Sequence, residues 1–221
     1  MSGRKPLLEK DEPRVSASLT EFPLRDQALI TFGLNTGFRV TELLAITIGQ
    51  VWESGHVKPQ VKVTRAKLKG GHGCRRKAIT SRSVPLNATV AAVLEQYLFA
   101  RFGSGEPDPN LPLFPSRHAG RGLSRWQANR IVHAVFEKAG LGSAECYGTH
   151  SLRKTFCRKV YAATGHDINL TRAVMGHSSI GTTQKYLHVD EAEMVAAVQA
   201  IGQMANWPDR QLPKNELAQQ Q

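Results

Sequence analysis

The sequence predicts a mainly helical α+β fold with one small antiparallel β-hairpin. Two observations carry this. Most of the chain falls into segments whose apolar residues recur three and four positions apart and which end at capping residues. One stretch, residues 58–86, alternates instead and is interrupted by glycines. At 221 residues with 41% apolar content, the chain can bury a real core. No internal repeat is visible, so one folded domain is expected, over residues 14–205. The polar ends, residues 1–13 and 206–221, read as flexible tails.

The elements follow in order. LRDQALITFGLNTG sets Leu24, Ala28, Leu29 and Phe32 on one helical face and stops at Gly37, a residue suited to a left-handed C-cap. The next helix begins at Val40-Thr41-Glu42-Leu43-Leu44. Val61 and Val63 then point one way and Lys62 and Thr64 the other, as in a half-buried strand. Gly70, Gly71 and Gly73 mark a turn, and a return strand ends at Ser83-Val84-Pro85-Leu86. Asn87 caps a helix with Val90, Val93, Leu94, Tyr97 and Leu98 on one face, and Gly103 follows it. Residues 103–112 form a loop. A helix starts at a Ser124 cap and carries Ile131, Val132, Val135 and Phe136. THSLRKTFCRKVYAATG, closed by Gly165, is another. DINLTRAVMG runs from an Asp167 cap to Gly176. Asp190 and Glu193 then stand in capping-box spacing before a last apolar stripe of Met194, Ala197, Val198 and Ile201.

The charge narrows the function. Lys and Arg number 29 against 18 Asp and Glu, a net +11 that favours a polyanionic partner. No apolar run approaches the roughly 18 residues that a membrane span needs, so nucleic acid is preferred to a membrane. The N-terminus lacks the apolar segment of a signal peptide, and Cys74, Cys146 and Cys157 are odd in number and fit no metal spacing. An intracellular, cytoplasmic, nucleoid-associated protein is expected. Between Lys58 and Arg82 there are nine Lys or Arg and no Asp or Glu, so the hairpin reads as a tracker of phosphates. Lys58, Lys62, Arg65, Arg75, Arg76, Lys77 and Arg82, with Arg121 and Arg125 beyond it, are the expected DNA-binding side chains.

Candidate chemistry sits at helix starts. Arg39 follows Asn-Thr-Gly at the entry to a helix, where backbone N–H groups and a guanidinium both favour phosphate. Glu42 is three residues on, in reach to orient that arginine or to cap the helix. His150 and Arg153, at i and i+3, share a face of the first turn of their helix. His177 comes after the Gly176 stop, on a loop and so not necessarily in the core, and Tyr186 follows nine residues later.

Taken together, TGFRVTELLAI, THSLRKTF and MGHSSIGTTQKYLHV, in this order, resemble the three boxes of the tyrosine recombinase or phage-type integrase family. The basic hairpin ending in RSVPL and the loop PLFPSR also sit where that family has them, and the resemblance spans residues 20–190. It implies the catalytic-domain fold of that family and a site-specific recombinase that needs neither metal, ATP nor other cofactor. Tyr186 would attack a DNA phosphodiester and form a 3′-phosphotyrosyl bond with a free 5′-hydroxyl. Arg39 and Arg153 would grip the non-bridging oxygens. His150 would donate to the same oxygens or take the tyrosine proton, and His177 would donate to the phosphate. A hairpin lysine would protonate the leaving oxygen. Lys67 is favoured over Lys69, which abuts the glycine turn and would hold the backbone.

The implied partner is double-stranded DNA, bound by a homotetramer on paired sites with possible accessory DNA-binding proteins. A type IB topoisomerase-like enzyme and a non-catalytic DNA-binding module of the same fold are the alternatives. Most family members carry a further N-terminal helical domain. A chain this short either lacks it by truncation or relies on its own basic surface or another protein.

Overall fold

The structure, a computed structural model, describes residues 4–64, 81–118, 120–142 and 146–187, with Val195 and residues 198–200. It divides into a unit of residues 1–188 and a second of residues 189–221. Eight bounded α-helices, two 3-10 turns and two small antiparallel sheets are seen among the described residues of the first unit.

Helix α1 (Glu12–Leu19) leads into α2 (Leu24–Thr36), around which the unit is organised. Ala28, Leu29 and Phe32 face one cluster, with Phe38, Leu43, Val61, Leu94, Leu98 and Phe114. Ile30 and Leu34 face a second, with Leu7, Val15, Val132, Phe136 and Leu152. The expected single apolar face of α2 is therefore two buried faces, as befits a helix packed on both sides. Gly37 closes α2 in the left-handed conformation, with φ +58°. A Cβ there would lie 2.2 Å from the Phe156 ring, so glycine is required by contact as well as by conformation.

The short α3 (Val40–Leu43) follows, then β1 (Trp52–Glu53) and β2 (His56–Val57). Ser54 and Gly55 join these two strands with positive φ at both positions, the twist a two-residue hairpin prefers. The expected basic hairpin is present as β3 (Gln60–Thr64) and β4 (Ser81–Pro85), paired with Val61 opposite Val84. Those two valines are buried while Lys62 and Ser83 are exposed, as the alternation requires. The glycine turn, Lys67 and Lys69 lie outside the described residues.

Helix α4 (Ala88–Phe102) starts where Asn87 accepts a hydrogen bond from the Val90 N–H, and Tyr97 ties it to the Leu113 carbonyl through its hydroxyl. Ser124 and Gln127 form a reciprocal capping box at the head of α5 (Arg125–Lys138). Then come α6 (Thr149–Ala163), α7 (Ile168–Met175) capped by Asp167, and α8 (Ile180–Gln184) capped by Ser179. Of the expected last helix, Val195 and residues 198–200 are described, and they are helical.

The N-terminal segment differs from its expectation as a flexible tail. The Lys5 N–H donates to the Cys146 carbonyl and the Leu7 N–H to Thr155 Oγ1, at 2.8 Å each. Leu7 is buried, and a 3-10 turn at Glu9–Asp11 runs into α1. The reason is the apolar trio Pro6-Leu7-Leu8, which gives a mostly polar stretch enough surface to dock. No helix among the described residues is long and apolar enough to cross a membrane.

Candidate active site

The turn after α2 places Arg39 at the N-cap of α3. Glu42, on the same short helix, holds it twice. One carboxylate oxygen accepts the Arg39 backbone N–H at 2.8 Å and the other accepts Nη1 at 2.9 Å. The carboxylate is buried while the guanidinium stays partly open, so Glu42 both caps the helix and aims the arginine outward. Both roles foreseen for Glu42 are filled at once.

Arg153 has a different setting. It is 1% exposed on the second turn of α6. Nη1 donates to the Gly37 carbonyl, and Nη2 to the Met175 carbonyl at 3.1 Å and to His177 Nε2 at 2.8 Å. Its Nε finds no partner among the described residues. Burial lowers its pKa, with the charge of Arg39 adding to the effect.

His177 is nearly as buried as Arg153, a burial that its place on a loop had left open. A guanidinium has N–H donors and no acceptor, so Nε2 must accept, and Nδ1–H is left to donate to Thr183 Oγ1 at 2.9 Å. Burial first, then the charges of Arg153, Arg39 and Arg82, push its pKa down to about 4. In this state His177 is a neutral ring that accepts from Arg153 and donates to Thr183.

Tyr186 closes the group. The α7 stop at Gly176 and the one-turn α8 fold the intervening residues back, so the Tyr186 and His177 rings lie 5.0 Å apart. The Arg153 guanidinium carbon is 5.6 Å from the Tyr186 ring centre. His150 is exposed at the start of α6. Its pKa is lowered by partial desolvation and then by Arg153, Lys154, Arg39 and Arg4, which favours the neutral, proton-accepting ring.

Arg82, expected to touch DNA from the hairpin, turns inward. Its Nη2 donates to the Thr36 carbonyl at 3.0 Å and to the Val174 carbonyl at 2.9 Å, and the guanidinium lies 5.0 Å from the Phe38 ring centre. The signal was available, because period-two alternation puts Arg82 on the same strand face as the buried Val84. Thr183 was also missed. A hydroxyl six residues from a histidine has no spacing rule, and only the α8 turn brings it to Nδ1.

The other expected DNA contacts are scattered. Lys62, Arg121 and Arg125 are exposed, and Lys58 pairs with Glu53 at 3.2 Å. Arg65, Arg75, Arg76 and Lys77 lie outside the described residues, like the two lysines. Among the described residues, no three His, Cys, Asp or Glu side chains gather as a metal site.

A helical domain thus gathers Arg153, a buried histidine and a tyrosine around helix ends, with Arg39 nearby, and among the described residues no acidic cluster stands with them. The sequence profile of the phage integrase family matches residues 6–193, and the chain belongs to that family. It is 30% identical over 201 residues to the tyrosine recombinase XerC of Caldanaerobacter subterraneus subsp. tengcongensis, covering 90% of this chain and 52% of that protein. It is also 29% identical to the tyrosine recombinase XerD of Bifidobacterium longum, over 84% of this chain and 56% of the relative. The chain thus spans about half the length of the curated relatives it matches. The fold is that of the XerA recombinase crystal structure, with a TM-score of 0.68 at 23% identity over 89% of this chain and 65% of that one. It is also that of the XerH recombinase bound to its difH substrate before cleavage, with a TM-score of 0.63 at 22% identity over 90% and 55% of the two chains.

Proposed function

We propose that this chain cuts and rejoins double-stranded DNA as a site-specific recombinase, with Tyr186 as nucleophile. The observation that carries the reading is the Tyr186 ring set against the buried Arg153–His177 pair. Tyr186 Oη attacks the scissile phosphorus, and the bond to the 5′-oxygen breaks. His150 accepts the tyrosine proton. The departing oxygen takes a proton from a lysine of the β3–β4 connection, Lys67 in our reading, with Lys69 supporting the backbone. Arg39 and Arg153 offset the charge on the non-bridging oxygens. The phosphotyrosyl bond conserves the energy of the one broken, so religation by a 5′-hydroxyl requires no ATP and, in this scheme, no metal.

The exposed Lys62, Arg121 and Arg125, with the basic connection of the hairpin, supply sequence-independent grip. In this reading the chain assembles as a tetramer on paired sites, with accessory DNA-binding proteins as further partners.

The test is covalent trapping on a DNA duplex nicked next to the scissile phosphate. Wild type accumulates an adduct. Tyr186→Phe forms none while binding DNA within about threefold of wild type, since affinity rests on the many cations. An adduct in Tyr186→Phe removes the nucleophile assignment. Failure of wild type to form any adduct leaves a DNA-binding module, and relaxation of supercoils by a monomer favours the topoisomerase reading.

A further inference from the structure

Two arginines join the same two helix ends. Arg153 donates to the carbonyls of Gly37 and Met175, and Arg82 to those of Thr36 and Val174. The acceptors are consecutive residues at the C-terminus of α2 and consecutive residues at the C-terminus of α7. Both helices close in a left-handed glycine, Gly37 and Gly176, and their last-turn carbonyls lack partners within the helix. A Cβ on Gly176 would come 3.2 Å from Arg82 Cδ, so the Arg82 side chain runs directly past this cap.

Arg82 reaches that position from β4, where it stands opposite Val63. The two guanidiniums are close enough that Arg153 contributes to lowering the pKa of Arg82, after burial itself. Like charges are brought together here by the negative ends of two helix dipoles, with Glu42 as the nearby carboxylate that opposes the effect. Arg82 Nε and Nη1 are buried without partners among the described residues, beside the Phe38 ring face.

We propose that Arg82 is a positioning residue for Arg153. It sets the separation of the α2 and α7 ends, and that separation fixes the carbonyls and the His177 ring to which Arg153 is bonded. It also ties the β3–β4 hairpin to the same frame. Without Arg82, the Thr36 and Val174 carbonyls lose their donor. The α7 end can then shift, taking Met175 and His177 away from Arg153. A lysine keeps the charge but cannot bridge two carbonyls with the same planar geometry. Arg82 touches no reacting atom in this scheme. The proposal rests on the recombinase reading above.

The test measures single-turnover adduct formation at saturating DNA for wild type, Arg82→Lys, Arg153→Lys and the double variant, alongside DNA affinity and thermal melting. Arg82→Met serves as a second, uncharged replacement. Wild type must form the adduct, and if it does not, the recombinase reading has failed and not this one. Given that, Arg82→Lys is expected to lose on the order of tenfold or more in rate, with DNA affinity within about threefold. In the Arg153→Lys background the same change is expected to cost less than about threefold, because the two residues act as a unit. An equal loss in both backgrounds overturns the proposal, as does a wild-type rate in Arg82→Lys. If neither Arg82 variant folds, Arg82 is a structural residue alone and the proposal is likewise overturned.

Discussion

The start of α3 and the start of α6 each carry an arginine that the proposed reaction directs to the same phosphate, yet they are built on opposite plans. Arg39 is balanced by a carboxylate, Glu42, and keeps its guanidinium partly in solvent. Arg153 is fully buried among acceptors that carry no formal charge, namely two carbonyls and a neutral imidazole. A guanidinium paired with a carboxylate is already neutralised, and it can be aimed without being immobilised. One held by carbonyls and an imidazole keeps its positive charge uncompensated in a desolvated site, where an incoming anion feels it most. The two corners therefore teach that acceptor type, not residue type, separates the aimed arginine from the fixed one.

The largest expected effect comes from breaking the fixed corner. Arg153→Ala strands the Gly37 and Met175 carbonyls and His177 and opens a cavity under Tyr186, so it should lower both cleavage and stability. A loss of about a hundredfold or more in adduct formation is expected, with about 2–4 kcal/mol of folding stability. Urea unfolding beside a trapping time course measures both. Arg39→Ala is the matched case on the aimed side. Its cleavage loss should be of similar order, but the urea midpoint should barely move, since a partly exposed pair holds less than about 1 kcal/mol. Equal destabilisation by the two substitutions would erase the distinction.

Glu42→Gln comes next. It keeps a side chain able to accept the Arg39 N–H but removes the charge that aims the guanidinium. Adduct formation should fall by roughly tenfold, and most of the protein should still bind DNA and fold. A loss as large as that of Arg39→Ala would mean that Glu42 does more than orient its neighbour.

The smallest effect concerns pH and the fixed corner. The unfolded chain protonates His177 near 6.5, whereas the folded chain resists until about 4. The unfolded state therefore binds more protons between those values. The stability contributed by the neutral ring is full above about pH 6.5 and is lost as the pH falls toward 4. His177→Gln should flatten that slope in urea midpoints measured between pH 4.5 and 7, within the window those pKa values define. An unchanged slope would place the titration elsewhere.

Much of this arrangement was legible in the sequence because it is local. Asn87, Ser124 and Asp167 cap helices through their own side chains, and Gly37 and Gly176 stop them, all by rules that act within one turn. Arg39 and Glu42 are three residues apart, so their pairing could be anticipated from spacing. What escaped was long-range or set by burial. Arg153 meets Gly37 and Met175 from three separate segments, and no spacing rule connects them. The burial of His177 follows from how α8 folds over it, and a glycine stop beforehand looks the same on a free loop. Arg82 was misread because its charge was weighed before its strand parity. The docking of residues 5–11 depended on a partner surface that the sequence alone does not display.

That docked segment has a mechanical side. The backbone N–H groups of Lys5 and Leu7 are fastened to the Cys146 carbonyl and to the Thr155 hydroxyl, and Thr155 lies two residues from Arg153 on the same helix. Thr155 also donates to the Ser151 carbonyl one turn back, so its hydroxyl is shared between the strap and the helix backbone. Tension applied to the chain ahead of residue 5 is consequently borne not by α1 but by Cys146, just ahead of α6, and by Thr155 within that helix. Whatever is attached there, whether a neighbouring domain or a laboratory tag on a short tether, pulls on the helix that carries His150 and Arg153.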